Sequence, residues 1–143
     1  MLAFLKKNES DNWASIVNKA SNNYYSLNSS ERIWFNCQVI IDSTQNGGLI
    51  SYYFNSGAEN VYDAIDDIKS LGFENIAGII QKYNLILFKG LEVPTDIYKR
   101  NEFINSLDES TDELLQSLET ELAKLIQDFK MGLLTFLRKE KMI

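Results

Sequence analysis

The sequence predicts an all-α protein that forms a single domain of about six or seven helices. Apolar residues recur every three or four positions along most of residues 10–137, which is the spacing of one face of an amphipathic helix. The chain has 143 residues, 45% of them hydrophobic, and only one proline. A chain of this length buries about 70% of its unfolded surface in one core. We therefore expect residues 1–143 to form one domain.

The first two helices are predicted from apolar spacing and from a capping residue. A helix over residues 10–25 is indicated by Trp13, Ile16, Val17, Ala20 and Tyr24. Ser29 or Ser30 has the side chain of an N-cap, and the next element is expected to run from Arg32 onward.

Residues 34–54 permit two interpretations. Two β-strands, over residues 34–41 and 49–54, would be joined by a tight turn at Asn46-Gly47. Alternatively, a helix would end there with Asn46-Gly47 as a left-handed C-cap. The apolar residues that share one face of that helix are Ile33, Cys37, Ile40 and Ile41. Spacing alone does not decide between the two.

The helical pattern is stronger after Gly57. One amphipathic face ending at Gly72 is formed by Val61, Ala64, Ile65, Ile68 and Leu71. A second pattern runs over residues 74–88, and residues 90–95 interrupt it. Pro94 suits the first turn of a further helix that carries Ile97, Phe103 and Ile104. The leucine stripe over residues 114–137 predicts one helix of about 28 residues or two that meet near Gly132.

The net charge of −6 is concentrated in the middle of the chain. Residues 59–128 contain fifteen acidic and six basic residues, whereas residues 1–58 contain four of each. Residues 129–143 contain four basic residues and one acidic residue. Direct binding to nucleic acid requires a basic surface, so this distribution favours a basic protein partner instead.

Two groups of carboxylates are candidates for contacting that partner. The first group is Glu59, Asp63, Asp66 and Asp67. It falls within roughly 100° of one helix face, opposite the apolar face, and is expected to point to water. The second group, at a predicted helix start, is Asp108, Glu109, Asp112 and Glu113. Fixed carboxylates of this kind attract a cationic groove, although a solvated helix face with no partner has the same pattern.

The sequence contains no pattern that indicates an enzyme, a cofactor or a metal site. It has no histidine and a single cysteine, Cys37, which lies in an apolar stretch and is expected to be a buried free thiol. Residues 42–47 begin like a calcium loop, but Tyr53 stands where the bidentate glutamate belongs. The N-terminus lacks a signal-peptide pattern and no segment is long and apolar enough for a membrane span, so a cytoplasmic protein is expected.

Residues 45–57, Gln-Asn-Gly-Gly-Leu-Ile-Ser-Tyr-Tyr-Phe-Asn-Ser-Gly, resemble the signature of a bacterial family of small proteins that is represented by a DNA mimic. The resemblance extends over about residues 31–137. The family pattern is Asn-Gly-Gly-Phe-x-Gln-Tyr-Phe-x-Asn, from which Leu49 and Ser51 depart. The resemblance implies an all-α, often dimeric protein, and so favours the helical interpretation of residues 34–54. It also implies that a helix–helix corner is held by Asn46, Gly47, Gly48, Tyr52 and Asn55.

The function expected from charge and resemblance together is protein binding without catalysis. In its most specific form, the protein is a DNA mimic that occupies the DNA-binding surface of a basic regulator or nucleoid protein. The alternatives are an immunity or antitoxin-type inhibitor of a basic toxin and an accessory protein of another kind.

Overall fold

The computed structural model describes residues 7–143, and its side chains from residue 9 onward, as seven α-helices and two short 3-10 segments with no strand. The helices are α1 (Lys7–Asn23), α2 (Ser29–Gln45), α3 (Leu49–Tyr52), α4 (Val61–Ser70), α5 (Glu74–Leu87), α6 (Ile97–Asn105) and α7 (Glu109–Lys139). The 3-10 segments are Tyr24–Ser26 and Ser56–Asn60. The predicted all-α fold is confirmed. Residues 1–6, which contribute to the expectation of no signal peptide, lie outside the described range.

Four helices enclose the core. Both α2 and α5 pack against α4 and α7, while α1 and α3 pack against α2. Side chains with no exposed surface at the centre include Trp34, Cys37, Ile68, Ile76 and Phe129. The prediction of a buried thiol at Cys37 is confirmed, and burial raises the pKa of that thiol.

Residues 34–54 form a helix, a tight corner and a second short helix, so the hairpin alternative is wrong. The position predicted for the left-handed residue is also wrong. Asn46 has a φ of −99°, and the residue with positive φ is Gly48, at +81°. Gly48 is the N-cap of α3 and follows the C-cap of α2, Asn46, by two residues, so the chain changes direction there.

The N-cap of α2 is Asn28 and not Ser29 or Ser30. The Asn28 side chain accepts a hydrogen bond of 2.9 Å from the backbone N–H of Glu31. The Glu31 carboxylate accepts one of 3.0 Å from the backbone N–H of Asn28 in return. This reciprocal capping box satisfies two N–H groups at once, which a serine one residue later does not do here.

The later helices follow the predicted pattern, except at the start of α6. α4 ends at Ser70, shortly before Gly72 as predicted. α6 begins only at Ile97, with Asp96 as its N-cap, so Pro94 precedes the helix and does not open it. α7 is one continuous helix through Gly132, where an added Cβ would clash with the ring of Phe73. Glycine therefore serves close packing there and does not break the helix.

Candidate protein-binding surface

The four acids predicted to form one exposed face differ widely in exposure. Glu59, in the 3-10 segment before α4, and Asp66 are exposed. Asp63 is half-buried, and its Oδ2 accepts a hydrogen bond of 2.8 Å from the Tyr24 hydroxyl. Asp67 keeps only 1% of its surface accessible. The prediction that all four point to water is wrong for Asp67 and only partly right for Asp63.

Asp67 is buried because it pairs with side chains of α2. Arg32 reaches it through Nε and Nη2, and Nη2 lies 2.7 Å from Oδ1. The Asn36 amide donates to Oδ2 at 2.9 Å and also to the Tyr24 hydroxyl oxygen. The hydrogen bonds that Arg32 donates to Asp67 raise the pKa of Arg32, and burial raises the pKa of Tyr24. Asp67 therefore belongs to a structural network that joins α2 to α4.

Helix geometry explains why the spacing of charged residues did not predict the burial of Asp67. Asp67 precedes Ile68 of the buried face and lies about 100° around the helix from it, at the border of that face. This border is the one that α2 covers. Asp66 lies about 160° from Ile68 and so faces water. Charge spacing within one helix cannot reveal which border a neighbouring helix will cover.

The acids at the start of α7 are all exposed. Asp108 is the N-cap, and its hydrogen bonds from Thr111 hold the pKa of its carboxyl below the usual value. Glu109, Asp112 and Glu113 span about 100° of the helix circumference, opposite the buried leucines. Carboxylates are stabilised near a helix N-terminus, which accounts for part of this charge. Glu113 lies beyond the first turn, where that effect has fallen off.

The exposed carboxylates of the two groups form no salt bridge with any residue from 9 to 143. Within that range, the two salt bridges join Lys19 to Glu31 and Arg32 to Asp67. The carboxylates that remain, here called the exposed acids, are Glu59, Asp66, Asp108, Glu109, Asp112 and Glu113. Their negative field is therefore not cancelled by internal ion pairs.

The Asn-Gly-Gly motif meets α7 at Glu119, an acid that the charge pattern assigns to an extension of the second acidic group but that is half-buried. Glu119 Oε1 accepts hydrogen bonds of 2.9 Å from the backbone N–H of Ile50 and from the Tyr83 hydroxyl. A Cβ on Gly48 would lie 3.0 Å from both carboxylate oxygens of Glu119. The motif thus gives the first turn of α3 a carboxylate cap that comes from a distant helix.

The other motif residues differ in what they contact. Tyr52 is 1% exposed and donates to the backbone oxygen of Gly57 at 3.2 Å. The Asn55 side chain donates to Ser51 O at 2.9 Å. Asn46 and Gly47 are exposed, and the Asn46 side chain has no hydrogen-bond partner among residues 9–143. The corner itself is spanned by the Ser51 hydroxyl, whose Oγ lies 2.7 Å from Ser43 O and 2.8 Å from Gly48 O, whereas Tyr52 and Asn55 act at the end of α3.

Arg100 of α6 is a buried residue that the sequence analysis missed. It has no exposed surface and donates to four backbone oxygens at 2.9–3.0 Å, which are those of Tyr53, Asn55, Pro94 and Thr95. Burial lowers its pKa. The available signal was its spacing, because Arg100 lies three residues from both Ile97 and Phe103 and so shares the apolar face of α6. Arg100 fastens the loop before α6 to the segment after α3.

No group of three or more Cys, Asp or Glu side chains within the described part of the chain is arranged to hold a metal ion. No helix in residues 7–143 combines the length and the apolar character needed to cross a membrane.

Comparison with protein families gives one match. A family model described as DMP19-like protein matches residues 25–140. The chain belongs to this family. No curated protein and no solved structure shows a significant match.

The DMP19-like match covers most of the chain and confirms the family resemblance. It includes α2 to α7, and with them the exposed acids, the Asn-Gly-Gly corner and Arg100. The DMP19-like region begins after α1, so α1 is outside the match.

Proposed function

We propose that this protein binds a basic DNA-binding protein through its exposed acids and occupies the surface that would otherwise bind DNA. The proposal is carried by the absence of salt bridges to these six carboxylates within residues 9–143. Membership of the DMP19-like family supports the proposal. The Asn-Gly-Gly motif of this chain resembles the signature of a family that is represented by a DNA mimic. A cationic surface gains attraction and a faster encounter rate from carboxylates that no close internal ion pair neutralises.

The start of α7 has a linear charge density similar to that of DNA. Four acids lie between Asp108 and Glu113, which at 1.5 Å per residue is about 7.5 Å of helix axis. This is about one charge per 2–2.5 Å, whereas one DNA strand has one per ~3.4 Å and the duplex one per ~1.7 Å. A groove adapted to phosphates would meet a comparable density here.

Charge reversal with a matched control tests the proposal. The test variant changes Glu109, Asp112 and Glu113 to Lys and keeps Asp108, because Asp108 caps α7. The control variant makes the same change in net charge at exposed acids elsewhere, which are Glu74, Glu102 and Glu140. We expect wild type and control to capture the same basic protein from a lysate of the source organism. The test variant should retain at least tenfold less of it.

The captured protein is then bound to labelled DNA, and wild-type protein is added in a gel-shift assay. We expect DNA to be displaced, and displacement to weaken with salt because the Debye length falls from ~10 Å at 0.1 M to ~3 Å at 1 M. Equal capture by test and control variants would contradict the role of the α7 acids. Capture without displacement of DNA would contradict mimicry and favour an inhibitor of a basic enzyme.

A further inference from the structure

An open groove of about 590 Å³ lies between α4 and α5, and none of its lining residues belongs to α7. Its lining includes Tyr62, Asp66, Gln81, Asn84, Leu85 and Leu91. Asp66 is one of the exposed acids, so the groove adjoins the surface proposed to bind the partner.

The walls of the groove are apolar and exposed. Tyr62 is 52% exposed, Leu85 60% and Leu91 63%, and these side chains come from α4, α5 and the loop after α5. The loop is fixed on α4 because the backbone N–H of Val93 donates to the Tyr62 hydroxyl oxygen at 2.9 Å. Tyr62, Leu85 and Leu91 thus line one groove, and the loop that carries Leu91 is held in place by this hydrogen bond. Burying the three side chains against a partner would be favourable.

The polar groups of the groove define what else an occupant must provide. Asn84 is 7% exposed, and its Oδ1 accepts a hydrogen bond from the Tyr53 hydroxyl. Its amide nitrogen has no partner among residues 9–143, so it can donate to a backbone carbonyl of an occupant. Asp66 is exposed and has no salt bridge within the same residues, so its carboxylate is free to accept hydrogen bonds from a cationic side chain of an occupant.

We propose that the groove receives a segment of the basic partner that inserts one large apolar side chain between Tyr62, Leu85 and Leu91 and places a Lys or Arg beside Asp66. Charge complementarity selects this occupant, since the ionised group of the lining is an acid without an internal counter-ion. This inference rests on the proposed function and deepens it. Attraction by the exposed acids brings the partner near, and the apolar anchor fixes its position and slows its release.

Two peptides and three variants test the groove without the natural partner. One peptide consists of lysines and glycines with a central leucine, and the other has serine in place of the leucine. Binding is measured from backbone amide chemical shifts in NMR titrations. We expect the leucine peptide to bind at least fivefold more tightly and to shift amides of α4 and α5.

The three variants test which side chains of the protein cause the preference for the leucine peptide. Leu85→Ser should abolish the preference for leucine, and Asp66→Asn should weaken binding of both peptides. Met131→Ser is the matched control, because Met131 is 48% exposed on α7 and does not line the groove. It should bind as wild type does. Circular dichroism checks that each variant is folded.

Several results would overturn the inference: equal binding of the two peptides, a leucine preference that survives in Leu85→Ser, or shifts confined to α7. Sedimentation supplies a further one. If Leu85→Ser converts an oligomer to a monomer, the groove is an interface between copies of this chain. The peptide test of the groove and the capture test of the α7 acids use different variants, so either proposal can fail while the other holds.

Discussion

At the scale of single residues, Gly48 and Glu119 act as one unit. Gly48 has a φ of +81°, and any Cβ there would approach the carboxylate that holds Ile50 and Tyr83. A side chain at this position would therefore incur backbone strain and push away the cap of α3. Glycine is therefore required at Gly48 by the backbone conformation and by the contact with Glu119, whereas neither reason applies at Gly47.

We expect Gly48→Ala to lower the free energy of unfolding by about 1–3 kcal/mol, from strain and from contact with Glu119. Gly47→Ala should cost less, because Gly47 does not have positive φ and its nearest neighbour would be Ser51 Cβ at 3.3 Å. Urea denaturation of both variants provides the comparison. Equal losses of stability would show that neither the positive φ of Gly48 nor its closeness to Glu119 distinguishes it from Gly47.

At the scale of elements, α4 and α5 have no side-chain cap at their N-termini, but a polar side chain accepts a hydrogen bond from the first turn of three other helices. Asn28, Asp96 and Asp108 do so for α2, α6 and α7. Capping depends on backbone geometry at one residue, which is why a run of Asn-Ser-Ser is ambiguous in sequence and unambiguous in structure.

Asn28→Ala should destabilise the protein by about 1 kcal/mol, whereas Ser29→Ala should change stability by less than about 0.5 kcal/mol.

Glu31, the capping-box partner of Asn28, makes the stability of the protein depend on pH. Hydrogen bonds from Asn28 and Lys19 lower the pKa of Glu31 from its unfolded value of 4.5. The contribution of Glu31 is therefore complete above pH 4.5 and is lost as pH falls through the lower folded pKa.

Urea denaturation at neutral pH and at successively lower pH, on wild type and Glu31→Gln, checks the sign of this effect. The stability difference between the two proteins should shrink as the solution becomes more acidic. A difference that grows toward acidic pH would exclude this account of Glu31.

Local patterns predicted the helices well and the buried polar contacts poorly. The faces of α4 and α5 follow from the spacing of apolar residues within each helix, and so could be predicted. Asp67 and Arg100 could not, because their burial depends on Arg32 and on backbone oxygens far away in the chain. The exposure of six of the eight candidate acids agrees with the pattern, and their role in binding remains a proposal.

At the scale of the whole molecule, two arginines join segments that are distant in sequence. Arg32 links α2 to α4 through Asp67, and Arg100 links α6 to the residues after α3. Because Asp67 and Arg100 are buried, removing the groups that pair with either of them leaves a buried charge without compensation.

Asp67→Ala should lower stability by about 2–3 kcal/mol, below the usual loss for a buried pair because the Arg32 side chain is 38% exposed. Asp66→Ala, one residue earlier and exposed, should change stability by less than about 0.5 kcal/mol. Thermal or urea unfolding distinguishes them. Similar stability of the two variants would mean that the Arg32–Asp67 pair does not hold α2 against α4.

The length of α7 has a consequence for how the protein meets any charged partner. Its thirty-one residues extend about 46 Å, with most of its acids in the first half and with Lys130, Arg138 and Lys139 toward its end. Such a separation of side-chain charges makes the start of α7 the negative end of this helix and its last turns the positive end. In the field of a cationic surface the molecule would rotate before it touches, so that the start of α7 arrives first.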